Sequence, residues 1–187
     1  MGQMVLPLGE ITDAAWVPTR GSAAIWEALA GDAVVMCMFG PHGCGKSHIL
    51  KIAAGQGWTT FDDVETWADV DGLFHATNAA LQGHGRVLVS SQMPVAQVAL
   101  LPDVKSRLLL GAQVELGLPD DTELRAMWQA WAAARQLEIA DAVADFVLAR
   151  ASRNPGALRA CFEQLDALGL AEKRALTVPL ARALFLG

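Results

Sequence analysis

Eight consecutive residues, Gly40-Pro41-His42-Gly43-Cys44-Gly45-Lys46-Ser47, satisfy G-x-x-x-x-G-K-[ST] at every fixed position. Glycines let successive backbone N–H groups turn inward around a phosphate, and a helix that follows aims its positive end at the same anion. In such a loop the Lys46 ammonium reaches the β- and γ-phosphates and the Ser47 hydroxyl ligates magnesium. Pro41, His42 and Cys44 fill variable positions, which contribute backbone groups. The acidic pair Asp62-Asp63 ends the next strand-like run. Beside a phosphate loop, one such carboxylate holds magnesium through water and the other orients an attacking water. A ligand carrying phosphates, with Mg2+, is expected at this loop. Cys37, Cys44 and Cys161 are scattered, and no histidine pair has H-x-x-x-H spacing. They read as free thiols in a reducing compartment, without a metal site built from protein ligands alone.

The elements that must carry these residues follow from hydrophobic periodicity. A helix is expected over Ser22–Leu29 with Ser22 as N-cap, then a doubly buried strand over Ala33–Phe39 feeding the glycine loop. Helix Ser47–Ala54, strand Trp58–Phe61, helix Val70–Leu81 and strand Arg86–Ser90 follow. Helix Pro102–Leu110 and strand Gln113–Leu116 complete a strand–helix alternation, which predicts a mostly parallel sheet covered on both faces. At Pro119 the character changes. Leu124, Met127, Trp128 and Trp131 form one helical stripe opened by Asp120 or Asp121. Val143, Phe146 and Val147 form another, and Leu158, Cys161, Phe162, Leu165 and Leu168 a third behind Pro155. Pro179–Leu186 adds a last short helix. The expected organisation is a tail over 1–15, an α/β core over 16–118 and a helical unit over 119–187.

With 187 residues, 53% hydrophobic and 18% charged, the chain is long and apolar enough for one globular core. Its apolar runs are strand-sized, far below a membrane span, and Met1–Leu8 has neither a basic start nor an extended apolar run. A cytoplasmic protein without membrane contact is expected. A net charge of −6 argues against a general nucleic-acid binder.

Beyond these features the chain resembles a known family. Leu73-Phe74-His75-Ala76-Thr77-Asn78-Ala79-Ala80-Leu81, Val87-Leu88-Val89-Ser90-Ser91-Gln92-Met93-Pro94 and Leu101-Pro102-Asp103-Val104-Lys105-Ser106-Arg107-Leu108 are similar to the AAA+ core of the bacterial replication initiator DnaA. They are still more similar to its shorter regulatory relatives, the Hda proteins. Val114-Glu115-Leu116-Gly117-Leu118-Pro119-Asp120-Asp121 continues the likeness, which covers roughly residues 16 to 185. It implies a P-loop NTPase of AAA+ type, a three-layer αβα core with a helical lid, and ADP or ATP with Mg2+ as cofactors. It places Ser90, Ser91 and Gln92 at the first nucleotide sensor and matches Arg107 to the arginine finger that enters a neighbouring subunit's site. A surface arginine on a helix is the plain alternative for Arg107. Trp16 to Pro18 fall near the segment that packs on adenine, although a core tryptophan explains Trp16 equally well.

Two departures stand out. The family's second-sensor arginine falls at Gly156, leaving Arg153 or Arg159 as substitutes, or leaving nucleotide held without coupled hydrolysis. Lys46 and Asp62 lie closer in sequence than the family places them, which predicts a lost edge strand, a sheet of about four strands and a shallower nucleotide site. Both features argue for weak turnover. Gln3-Met4-Val5-Leu6-Pro7-Leu8 resembles the Q-x-x-L-x-L peptide that docks on the DNA sliding clamp, with Gln3, Leu6 and Leu8 as anchors. The sequence ends after the helical unit, without room for a helix-turn-helix, so sequence-specific DNA binding is not expected. The resemblance implies an inhibitor of replication initiation with the clamp and DnaA as partners, and self-association is compatible with it. A self-contained helicase-loader-like ATPase and a P-loop fold reduced to an interaction module are the alternatives.

Overall fold

The computed structural model describes residues 17, 19–66 and 69–185. Four strands form one parallel sheet: β1 (Val35–Phe39), β2 (Thr59–Phe61), β3 (Val87–Ser91) and β4 (Ala112–Glu115), in the order β2-β3-β1-β4. The chain steps from β1 past the place of β3 to β2, then returns through β3 to β4. A right-handed crossover therefore puts the β1–β2 helix on one face and the next two helices on the other. The side-chain clusters agree. Met36, Met38 and Leu88 pack with Ile25, Trp26, Ile49 and Leu50 of α1 (Arg20–Ala30) and α2 (Lys46–Gly55). Val35, Cys37, Val87 and Val89 pack with Leu73, Val104 and Leu108 of α3 (Val70–Leu81) and α4 (Pro102–Leu109). Alternate residues of β1 thus serve opposite layers, which is why the run is apolar throughout. The four-stranded parallel sheet and three-layer core are those anticipated from the sequence.

Helix boundaries have local causes. The N-cap of α1 is Thr19, not Ser22: Ser22 is the third helical residue and closes a reciprocal capping box with Thr19. Both hydroxyls have the right spacing, and the earlier one wins because Arg20 and Gly21 also adopt helix. Helix α5 (Asp121–Ala134) begins with a second capping box, Asp120 with Glu123, and Glu123 Oε1 also accepts the Arg20 N–H at 2.6 Å. One carboxylate therefore ties the start of α5 to the start of α1. Helices α5, α6 (Asp141–Leu148), α7 (Pro155–Glu172) and α8 (Val178–Ala183) enclose their own core, with Phe162 edge-on to Trp128 at 5.1 Å between ring centroids. Val17 packs against that cluster from the core side. A 3-10 turn, Val95–Gln97, follows β3 and was not legible in the sequence.

Candidate functional site

The glycine loop leaves β1 at the carboxyl edge of the sheet, where Gly40 N donates to Ser91 O of β3 at 3.2 Å. A Cβ on Gly40 would stand 2.1 Å from the Leu116 carbonyl oxygen, so no larger residue fits there. Gly43 and Gly45 take φ of +79° and +106°, conformations that favour glycine. The N–H groups of Gly43, Gly45 and Ser47 find no backbone acceptor among the described residues. They form the N-terminal end of α2, a cradle suited to phosphate oxygens. Lys46 is buried, and its ammonium donates to Gly40 O at 2.7 Å and Pro41 O at 3.0 Å. Cys44 lies beneath the loop, where burial pushes its thiol up against the opposing pull of Lys46.

The carboxylates stand two strands away, roughly 10 Å at ordinary strand spacing. Ser90 links them to the sheet: its hydroxyl donates to Asp62 Oδ1 at 2.5 Å and accepts the Asp63 N–H at 2.9 Å. Asp63 has φ +48°, so the chain turns sharply as it leaves β2. Ser91 is fully buried and donates to Met93 O at 2.7 Å, whereas Gln92 is exposed. The Gln92 N–H donates to the carboxylate of Glu65. Sequence reading missed Glu65 because the pairing crosses from the β2 turn to the β3 turn. Its only signal was a third acid just past Asp62-Asp63. Ser47, with an exposed hydroxyl, and Asp62 together offer oxygen donors of the kind magnesium takes beside a phosphate.

A cleft of about 380 Å³ opens between the loop and the α5–α8 unit. Gly43, Cys44, Gly45, Ser47 and His48 form its floor, with Val17 and Thr19 at one end. Met127 and Trp131 of α5, and Pro155, Gly156 and Arg159 of α7, form the opposite wall. Pro41 and His42 are exposed at the loop's tip and do not line it, and neither do Asp62, Asp63, Ser91 or Gln92. The two arginines near Gly156 differ. Arg159 faces the cleft, donates to Glu163 at 2.7 Å and lies 5.1 Å from the Trp131 ring. Arg153 is exposed and pairs with Asp121 at 3.0 Å.

Arg107 stands apart from this cleft, on α4 in the opposite layer. Its Nε donates to Asn78 Oδ1 at 2.5 Å, one Nη donates to Asp103 O at 2.7 Å, and the guanidinium covers the Phe74 ring at 4.5 Å. Gln3, Leu6 and Leu8, with Trp16 and Pro18, lie outside the described residues.

Residues 120–185 match the family model of the Hda lid domain. The whole fold is similar to domain III of the Thermotoga maritima replication initiation protein DnaA (TM-score 0.78, 15% identity, covering 89% of this chain and 92% of that one). It is also similar to AMPPCP-bound DnaA from Aquifex aeolicus (0.69, 15%, 83% and 65%) and to the Thermotoga maritima RuvB Holliday junction branch migration motor (0.61, 16%, 80% and 60%). The chain therefore spans a little under two thirds of the length of the last two. The fold is that of an AAA+ core with a helical lid. Among the described residues no helix is long and apolar enough to cross a membrane.

Proposed function

We propose that this chain, a DnaA-related AAA+ protein with an Hda-type lid, is a cytoplasmic negative regulator of replication initiation that binds adenine nucleotide and activates hydrolysis in a partner. The observation that carries the reading is the pairing of an Hda lid with a phosphate loop whose cleft does not contain Arg107. Nucleotide would lie with its phosphates on the amides of Gly43 to Ser47 and its base toward Val17, Met127 and Trp131. Magnesium, held by Ser47 and reached by Asp62 through water, would neutralise phosphate charge there. Lys46 would exchange its two carbonyl partners for phosphate oxygens. Ser90 keeps Asp62 and the turn after it in register with the sheet, so the carboxylates are presented without a search.

Arg107 would act in trans. Asn78, the Asp103 carbonyl and the Phe74 ring occupy Nε, one Nη and one face of the guanidinium, leaving the second Nη without a partner among the described residues. A planar cation so held has little freedom left to lose, and on a transferring phosphoryl group such a finger contributes about 10³–10⁵ in rate. DnaA carrying ATP is the proposed recipient. The segment with Gln3, Leu6 and Leu8 would bring the regulator to the sliding clamp. The test is ATP hydrolysis by DnaA in the presence of clamp-loaded DNA. Arg107→Ala should abolish the stimulation while leaving nucleotide binding by the variant intact, and Gln3→Ala/Leu6→Ala should abolish clamp binding. Stimulation unchanged by Arg107→Ala would refute the finger assignment.

The Asp62–Ser90–Asp63 arrangement also supports turnover in this chain's own site, as a self-contained ATPase in an oligomer. Gly156, which brings no side chain to the second-sensor position at the lid wall, and the shortened core weigh against it. Turnover by the purified protein, alone and with single-stranded DNA, separates the two readings.

A further inference from the structure

An uncharged residue of the lid, Asn154, the N-cap of α7, comes up against the phosphate loop at Gly43. A Cβ built on Gly43 would lie 1.6 Å from Asn154 Nδ2, 2.3 Å from its Cγ and 2.6 Å from its Oδ1. The carboxamide of Asn154 thus occupies the space that a side chain at Gly43 would fill. Its orientation is fixed by chemistry. Oδ1 accepts the N–H groups of Gly156 at 2.8 Å and Ala157 at 3.1 Å, so the amide oxygen faces the helix and Nδ2 faces the loop. Those two bonds consume the free amides at the start of α7 and polarise the carboxamide, passing the positive character of an 18-residue helix end on to Nδ2. Nδ2 carries two donors and has no acceptor among the described residues. It stands over Gly43, whose own N–H is one of the unpaired amides of the cradle.

We propose that Asn154 is a phosphate-contacting residue contributed by the lid: Nδ2 donates to an oxygen of the phosphate held on the loop, and the contact clamps α7 to the core when nucleotide is bound. The inference rests on the nucleotide reading above and deepens it. Asn154 supplies from the lid a donor where Gly156 supplies no side chain, and it makes the seating of the lid depend on the phosphates as well as on the base. Because the contact is a neutral donor, it favours a bound phosphate without requiring the charge of a transition state. That suits a nucleotide retained to organise the assembly.

The test compares Asn154→Asp and Asn154→Ser by titration with ADP, AMP and adenosine. Asp and Ser cap a helix about as well as Asn, so nucleotide-free melting should stay within a few degrees of wild type. Asp replaces the donor by an anionic oxygen, and Ser keeps the cap but falls short of Gly43. The expected result is an ADP affinity lowered at least about tenfold by Asp and less by Ser, with adenosine affinity unchanged in both. Affinities for ADP equal to wild type in both variants would overturn the proposal while leaving nucleotide binding standing. An equal loss for ADP and adenosine would also overturn it, showing a packing role only. Absence of ADP binding by the wild type would overturn both this proposal and the nucleotide reading beneath it. Should the Asp variant fail to fold, the ADP-to-adenosine comparison on the Ser variant decides alone.

Discussion

Replacing Gly43 by alanine tests whether the lid and loop meet as described. The substitution acts twice. An L-residue at φ +79° costs about 1–2 kcal/mol relative to glycine. The new Cβ would also lie 1.6 Å from Asn154 Nδ2, far inside ordinary contact, so the carboxamide must leave. It then gives up its bonds to the Gly156 and Ala157 amides, and losing such a cap costs roughly 1 kcal/mol. Together these destabilise the fold by about 2–3 kcal/mol, a fall in Tm of roughly 4–12 °C for a chain of this size. Thermal unfolding followed by circular dichroism measures it, without added nucleotide. The decisive comparison is Gly43→Ala in an Asn154→Gly background. Glycine caps nearly as well as asparagine but removes the obstruction, so about 1 kcal/mol of the loss should disappear there, as coupling between neighbours requires. Equal losses in both backgrounds would mean that Asn154 does not sit on Gly43. A neutral Gly43→Ala would refute the loop conformation as well.

Other substitutions probe separate parts of the molecule. Lys46→Ala removes the only buried ammonium at the loop and should weaken ADP binding roughly ten- to hundredfold in a fluorescent-nucleotide titration. Arg86 donates to the carbonyls of Leu29, Gly31 and Ala33 and covers Trp58 at 3.9 Å. Arg86→Ala should therefore destabilise by about 2–3 kcal/mol without altering nucleotide affinity, which melting and titration check together. Burial pushes the Cys37 thiol up to about 12 and raises Cys44 above its ordinary value, so both stay protonated at pH 8. Iodoacetamide at that pH should label the more accessible Cys161 first, as read by mass spectrometry, with Cys37 and Cys44 reacting only in denaturant.

Much of this arrangement was legible in the sequence because it is local. The apolar run ending at Phe39, the eight-residue loop and the helix after it share one short stretch, and the strand–helix alternation gives way to helices alone after Pro119. Helix α3 occupies Val70–Leu81 as the spacing predicts, since Asp69 caps one end and Gln82 lies just beyond the other. What escaped notice depends on approach across the fold. Asn154 and Gly43 are 111 positions apart, and nothing in either neighbourhood announces the other. The Glu65–Gln92 and Glu123–Arg20 bonds are of the same kind: a carboxylate reads as a solvated charge until the chain brings it to a free N–H. The choice between Arg159 and Arg153 also needed geometry, because both are near Gly156 in sequence and only the turn of α7 decides which one faces the cleft. The misplaced cap of α1 was local but ambiguous, two hydroxyls three residues apart offering the same signal.

The brevity of β2 has a consequence for how crowded this protein can become. Among the described residues β2 stands at the border of the sheet, and with three residues its outer side is only about 10 Å long. The opposite border, β4, is four residues long and turns Gln113 and Glu115 outward. A short border and a polar, charged one are both poor templates for another chain's strand. A molecule with such edges tolerates being gathered at high local concentration without its sheets fusing edge to edge, so dense assembly need not pass into aggregation.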